Sequence, residues 1–419
     1  MSTQREDGYL VESGPDSFLT RKPETEALCR ELGLADRFLE VNTNARRAFV
    51  ARKGRLRRLP QGMSGLVPMK TGPLLLTGSL SPVGKLRLLL ERAIPQRSNG
   101  SDESVASFFR RRFGAEAFNR LIEPLVSGIY AGDADELSVQ AVLPQLAELE
   151  REHGSVTRGL KRSHARVDPS RPAFLSLSGG MTELVDALEA ACRREDWQLG
   201  TTVQAVRKTE RGFTVDLGQE ELKADAVIVA MPTYLASFIL RDVDSRLSSL
   251  LNGIAHVSTA TVSLAYATGS VSRRLNGSGY LVPRVEGRQV LGCSWVSAKF
   301  PGRAPTGTEV FRIFIGRQGS EVDASVTDEA LTDLAHEEMR AVMGASERPL
   351  RSWVFRHHWA MPQYTVGHGE RVQEIEKQAS SHTGLLLCGN WQTGVGISDC
   401  IRSATVAANS AADYLKGIG

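Results

Sequence analysis

The chain has 419 residues, beyond the size at which one hydrophobic core stops growing, so two or three domains are expected. Hydrophobic residues make up 41% and charged residues 24%, ordinary globular usage that argues against disorder, a fibre or a secreted miniprotein. Lys and Arg number 51 against 48 Asp and Glu, a formal charge of +3 that is too balanced for a dedicated nucleic-acid binder.

From Arg21 to about Leu39 apolar residues recur at helical spacing, with Pro23 suited to a first turn and Gly33 near a stop. A strand-like pair follows in RRAFVARKGRLRRLP. The stretch from Gly62 to Pro95 is apolar but broken repeatedly by Gly and Pro, so it cannot be a transmembrane helix. It reads as helical core beside a substrate channel, with a patch touching a membrane surface or a partner as the alternative. Residues 102–159 read as amphipathic helices with Arg110, Arg111 and Arg112 on solvated faces, and KRSHARVDPSRP as an exposed loop at a domain junction.

At Phe174 the pattern changes. FLSLSGGM leads into the helix TELVDALEAACRR, then into the strands of WQLGTTVQAVRKT and FTVDLG and the apolar run ADAVIVAMP, which suggests an α/β nucleotide-binding layer. The segments ATVSLAYA, GYLVP, VLGCSWVS and EVFRIFIG alternate at strand period and predict an antiparallel sheet forming a second domain. The five cysteines show no CxxC pair and no metal-ligand spacing, so buried free thiols in a reducing cytoplasm are expected. The start MSTQREDGYL has no basic-then-apolar leader, and neither export nor a membrane span is expected.

Near the C-terminus a strand ends at Gly389 and Asn390, Gly394 and Gly396 follow, and a helix of small residues begins near Ile397. Glycines allow the main chain to approach a ring or phosphate closely, and a first helical turn offers unpaired N–H groups and a partial positive charge. The same spacing fits a plain αβ turn equally well.

Four stretches together carry a resemblance: GYLVESGPDSFLTRK (Gly8 to Lys22), LIEPLVSGIYAGD (Leu121 to Asp133), WAMPQYTVGH (Trp359 to His368) and GNWQTGVGISDCI (Gly389 to Ile401). They resemble the protoporphyrinogen/coproporphyrinogen III oxidase family, of bacterial Gram-positive type, within the FAD-dependent amine-oxidase-like superfamily. The resemblance implies an α/β fold in which an FAD/NAD(P)-binding Rossmann-like domain accompanies a substrate domain of mixed, largely antiparallel sheet and a helical subdomain. The FAD-binding domain would take residues 1–16, 174–240 and 383–419, the substrate domain 17–60 and 241–382, and the helical subdomain 61–173. It implies FAD as cofactor and a six-electron oxidation of a porphyrinogen, with oxygen as acceptor, in haem and porphyrin biosynthesis. Coproporphyrinogen III is favoured over protoporphyrinogen IX because the chain follows the bacterial pattern.

By the same resemblance, Gly389, Trp391, Gly394, Val395, Gly396 and Ile397 would border the isoalloxazine, with Trp359, Gln363 and Tyr364 on its other side, and Val203 would hold the adenine edge by its backbone. Arg21 and Lys22 would take substrate propionates, because Arg and Lys bind such carboxylates, and Tyr130, Asp133 and Tyr280 would line the substrate cavity. No catalytic triad, general base or metal is expected; His368, His357 and His358 read as structural. A peripheral membrane contact, a ferrochelatase partner and a homodimer are left open.

The family opens with a strand, a GxGxxG turn on the pyrophosphate and an acidic residue for the ribose, ahead of its DGYxxExGP segment. Here that segment stands at Asp7 to Pro15, close behind Met1, so the expected Rossmann-like domain is N-terminally incomplete by one βαβ unit, on the order of 30 residues or more. A remnant that binds porphyrin or a partner without catalysis is the alternative of another class.

Overall fold

A computed structural model of the chain describes residues 1–45, 47–60, 63–64, 67–68, 78–97, 100–163, 171–192 and 197–418. Much of the Gly62 to Pro95 stretch, most of the loop expected at 161–172 and the end of the helix expected from Thr182 lie outside the described residues. The chain divides into two compact units, one of residues 1–17, 36–183 and 257–361, the other of residues 18–35, 184–256 and 362–419.

The first unit is built on a seven-stranded sheet. Its strands lie in the order Arg351–Pro362, His256–Ala267, Thr308–Ile315, Val290–Trp295, Gly279–Leu281, Ala48–Arg52 and Arg55–Arg58. The four segments with strand period fall in it, and their mutual pairings are antiparallel. Gly279–Leu281 runs parallel to Ala48–Arg52 instead, so the sheet is mixed. His256–Ala267 is buried along most of its length, which requires cover on both faces. Leu331, Ala335 and Met339, from the helix Asp328–Glu338 and the turn after it, join Val262, Leu264 and Ile313 in that core.

The strand pair expected in RRAFVARKGRLRRLP is a hairpin with Arg52 opposite Arg55. Lys53 and Gly54 between them have φ of 47° and 70°, both left-handed, the geometry that a two-residue turn needs to match strand twist.

The helices expected over 102–159 form, among them Val105–Phe113, Glu123–Tyr130 and Pro144–His153. The expectation for the arginine run is corrected: Arg110 is exposed, but Arg111 is half-buried and Arg112 is 0% exposed. Val105, Phe108, Phe109, Arg112 and Phe113 share one buried helical face, so Arg112 goes inward with it. Its guanidinium is matched there, with Nε donating to Glu91 Oε1 at 3.0 Å and Nη1 to the Ile94 carbonyl at 2.8 Å.

In the second unit Val227–Val229 pairs in parallel with Leu385–Leu387, and Ala205–Lys208, Phe213–Asp216 and Glu221–Ala224 form a separate antiparallel sheet. The helix Ile397–Ile418 packs on both parallel strands and on the helix Glu24–Glu31. That last helix is shorter than the expected Arg21–Leu39, because Gly33 takes φ of 76° and ends it, and Phe38–Glu40 is a strand. Asp244 caps Ser245–Asn252 through the Arg246 and Leu247 amides, and also accepts from Gln378 at 2.6 Å and His382 at 2.8 Å. Cys29, Cys293 and Cys388 are buried free thiols as expected, whereas Cys192 is exposed. Among the described residues no helix is long and apolar enough to cross a membrane.

Removing Glu91 takes from the buried Arg112 the closer of two carboxylates and leaves Glu150 at 3.3 Å, so Glu91→Ala should lower unfolding stability by about 3 kcal/mol in urea titrations. Removing Asp333 from its exposed pair with Arg348 should cost less than about 1 kcal/mol. Burial raises the Glu91 pKa, but hydrogen bonds from Thr157 and Ser155 and the Arg112 charge outweigh it and hold the carboxyl below its ordinary value. Its contribution is therefore present above the unfolded carboxylate value of about 4.3 and lost as pH falls through the folded one, so the Glu91→Ala deficit should shrink in acid.

Candidate functional site

The parallel strands of the second unit end at the same side, one at Val229 and the other at Leu387. In open parallel sheets ligands bind outside the carboxyl ends of the strands. Two connections start there: Ala230 to Pro232, which enters the helix Thr233–Ile239, and Cys388 to Gly396, which enters Ile397–Ile418.

The second connection holds the glycine turn, and side chains from elsewhere fix it. Ser403 Oγ accepts from the Gly389 amide at 3.0 Å, the Tyr364 hydroxyl donates to the Asn390 carbonyl, and His368 Nε2 meets the Trp391 carbonyl at 2.9 Å. The Tyr364 and His368 rings stack with centroids 4.2 Å apart.

Asp399 completes the turn. It stands at the third helical position, 3% exposed, and Oδ2 accepts from the Gly396 amide at 3.3 Å, one half of a capping box. Lys22 Nζ lies 2.6 Å from the same oxygen, and Arg402 Nη2 lies 2.5 Å from Oδ1. Thr25 and Ser398 hydroxyls meet at 2.6 Å, and Arg402 reaches Glu24 at 2.8 Å. Burial, with the Asp399 charge beside it, pushes the Cys400 thiol above its ordinary pKa, so it stays protonated at neutral pH.

The expected cofactor residues divide on inspection. A Cβ on Gly389 would meet the Trp391 indole at 2.9 Å, and one on Gly394 would land 2.3 Å from the Asp399 carboxylate. Both glycines are thus demanded by neighbouring side chains of this chain, whatever else approaches them. Trp391 is 1% exposed and packs in the unit's own core with Val229 and Leu385. Val395 and Ile397 flank Gly396 in the turn, Gln363 is buried with its amide on the Ala255 carbonyl at 2.8 Å, and Val203 packs against the same core as Trp391. The site fits a large polar ligand in one further respect: Thr233 Oγ1, at the start of the other helix, is fully buried with no hydrogen-bond partner among the described residues. Such an orphan demands a partner.

Of the expected substrate residues in this unit, Arg21 is exposed and makes no ion pair among the described residues. Lys22 is held by Asp399 yet remains 34% exposed.

In the first unit, the GIYAGD motif is the end of the helix Glu123–Tyr130. Ala131 takes φ of 50° as a left-handed cap, and the Tyr130 hydroxyl donates to the Val142 carbonyl at 3.4 Å. Asp133 Oδ2 lies 3.3 Å from Arg284 Nη1, and its amide donates to Gln318 at 2.9 Å. Tyr280 is 2% exposed inside the sheet core, where its hydroxyl donates to Glu338 at 3.3 Å and burial pushes its pKa well above 10. Trp359 is 59% exposed with φ of 44°, a conformation that costs a bulky residue on the order of 1–3 kcal/mol. Its amide donates to Ser258 Oγ at 3.0 Å, which helps hold that backbone.

Sequence reasoning passed over Asp399, Arg402, Ser403 and Thr25. Only Asp399 carried a local signal, an acid three residues after the glycine that opens a helix.

The family described as flavin containing amine oxidoreductase matches residues 1–412. The coproporphyrinogen III oxidase of Bacillus subtilis is 33% identical, over 99% of this chain and 89% of that protein. The chloroplastic protoporphyrinogen oxidase of Oryza sativa is 31% identical over 98% of this chain and 80% of that protein. A solved structure from Exiguobacterium sp. 255-15, described as a protoporphyrinogen oxidase, superposes with a TM-score of 0.86 at 28% identity, covering 99% of this chain and 90% of that one. Cyclohexylamine oxidase from Brevibacterium oxydans shares the fold at 16% identity, with a TM-score of 0.68.

Gly394→Ala drives a methyl into a carboxylate pinned by two cations and should cost about 1–3 kcal/mol in unfolding measurements. In an Asp399→Ala background the same substitution should cost close to nothing. A double-mutant cycle without coupling would mean that Asp399 does not set the turn.

Proposed function

The chain belongs to the flavin containing amine oxidoreductase family, and from that premise we propose that it oxidises coproporphyrinogen III to coproporphyrin III with FAD as cofactor and oxygen as acceptor, within porphyrin and haem biosynthesis. The observation that carries this reading is similarity to a coproporphyrinogen III oxidase along 99% of the chain. Protoporphyrinogen IX is the second reading, supported by the rice relative at 31% identity.

The overall change removes six electrons, as three hydrides lost from bridging carbons and three protons lost to solvent, two from pyrrole nitrogens and one from the fourth bridging carbon. FAD, when bound, accepts each hydride and passes the electrons to oxygen. What this chain contributes is placement. In the second unit the turn of Gly389, Trp391, Gly394, Val395, Gly396 and Ile397 would border the flavin ring, with Gln363 and Tyr364 buttressing it and Val203 near the adenine. Ser403, His368 and Asp399 hold that turn rigid, which keeps a bound ring in one position. Arg21 would meet a substrate propionate with a guanidinium that makes no ion pair among the described residues. Lys22 would do so only while sharing its charge with Asp399. Trp359, exposed and strained, is the first unit's candidate for touching a ligand.

The full chain, purified with added FAD, should show flavin absorption bands and coproporphyrinogen-dependent oxygen uptake; a colourless, inactive protein would favour a non-catalytic remnant. Arg21→Gln and Lys22→Gln should raise KM for coproporphyrinogen, which carries four propionates, more than for protoporphyrinogen, which carries two. Equal effects on both substrates would remove these residues from propionate recognition. Flavin content, read in parallel, separates that outcome from loss of the turn through Asp399.

A further inference from the structure

A cleft of about 170 Å³ opens within the first unit, beside the hairpin Ala48–Arg52 and Arg55–Arg58. Four cations line it: Arg52, Lys53 and Arg57 from the hairpin, and Arg120 from a wide helical turn at Phe118–Ile122. Widened turns of this kind occur often at functional sites. Two carboxylates stand against the four, Glu286 in the lining and Glu116, which pairs with Arg120. The Glu286 carboxylate accepts from the Lys53 backbone amide at 2.7 Å.

The side chains of Lys53 and Arg57 make no hydrogen bond or ion pair among the described residues, and Arg52 has one long bond, 3.4 Å, to the Ser79 carbonyl. Desolvation and the nearby Arg52 charge lower the Arg120 pKa, a sign of cations gathered without full compensation. The scaffold is firm, because the hairpin tip is tied to the loop of Glu286, which follows the strand Gly279–Leu281 of the same sheet. Elsewhere in this unit a buried arginine such as Arg303 sits 2.6 Å from Glu12 with further bonds to Ser176 and Leu177, a matching that Lys53 and Arg57 lack among the described residues.

We propose that this cleft is a binding site for a phosphate or carboxylate group carrying up to two negative charges, held by the guanidinium forks of Arg52 and Arg57 with Lys53 and Arg120 adding charge. Two sources share that chemistry: a free small oxyanion, and a carboxylate arm of a porphyrin. Only the second depends on the function proposed above.

The test titrates the full chain at low salt with inorganic phosphate and, separately, with coproporphyrin III, comparing Arg57→Gln and Arg52→Gln with the unaltered protein. Saturable phosphate binding that weakens at least tenfold in both variants, and weakens with added sodium chloride, is the expected result. Arg57→Gln should leave thermal stability unchanged, because that side chain has no partner to lose among the described residues. If phosphate displaces coproporphyrin III and both weaken in the variants, the porphyrin carboxylate occupies the cleft; if phosphate binds alongside it, a free anion does. Absence of saturable binding by either probe, or binding indifferent to both substitutions, overturns the proposal. The phosphate arm stands even if the chain proves inactive towards porphyrinogens.

Discussion

A buried carboxylate that two cations must neutralise sets the geometry of the second unit. The turn from Gly389 to Gly396 is rich in glycine, and glycine loses more backbone freedom on ordering than any other residue. Such a segment does not hold itself. Asp399 supplies what the turn lacks by accepting the Gly396 amide, and it can stay buried only because Lys22 and Arg402 approach it. Thr25 on Ser398 and Arg402 on Glu24 extend the same contact along the helix Glu24–Glu31. The short segment that carries Arg21 and Lys22 is thereby fixed to the start of the C-terminal helix, and a residue proposed for substrate recognition doubles as a support for the glycine turn.

That double role explains which parts of the site were legible in the sequence. The glycines, the strand before them and the small-residue helix after them are local patterns, and they stand where periodicity put them. The strand pair in RRAFVARKGRLRRLP was legible for the same reason, since its two strands are contiguous. Lys22 and Asp399 are 377 positions apart, and no local pattern joins them. Sequence reasoning therefore gave Lys22 a free charge that the fold has largely spent.

Arg112 is a different kind of miss, because its signal was present and outweighed. Three consecutive arginines read as a solvated face, yet Val105, Phe108, Phe109 and Phe113 recur at positions that place Arg112 among them. Periodicity should rank above charge in such a conflict when an acid elsewhere can follow the arginine inward, as Glu91 does. The identity of that acid is again a long-range fact. Helix and strand placement was thus mostly readable, and the pairing of buried charges was not.

The same distinction separates the two places where this chain concentrates charge. Around Asp399, cations and carboxylates alternate at hydrogen-bond distance, so the cluster is near neutral and its role is mechanical. Around the hairpin cleft, four cations stand against two carboxylates, so a net positive charge is gathered in one place, and its mutual repulsion has a cost. A net charge of +3 over 419 residues conceals both arrangements, because it sums a compensated cluster and a partly compensated one into a single small number. Composition bounds the class of partner for the whole molecule, and only the spatial distribution of charge says where an anion would be held.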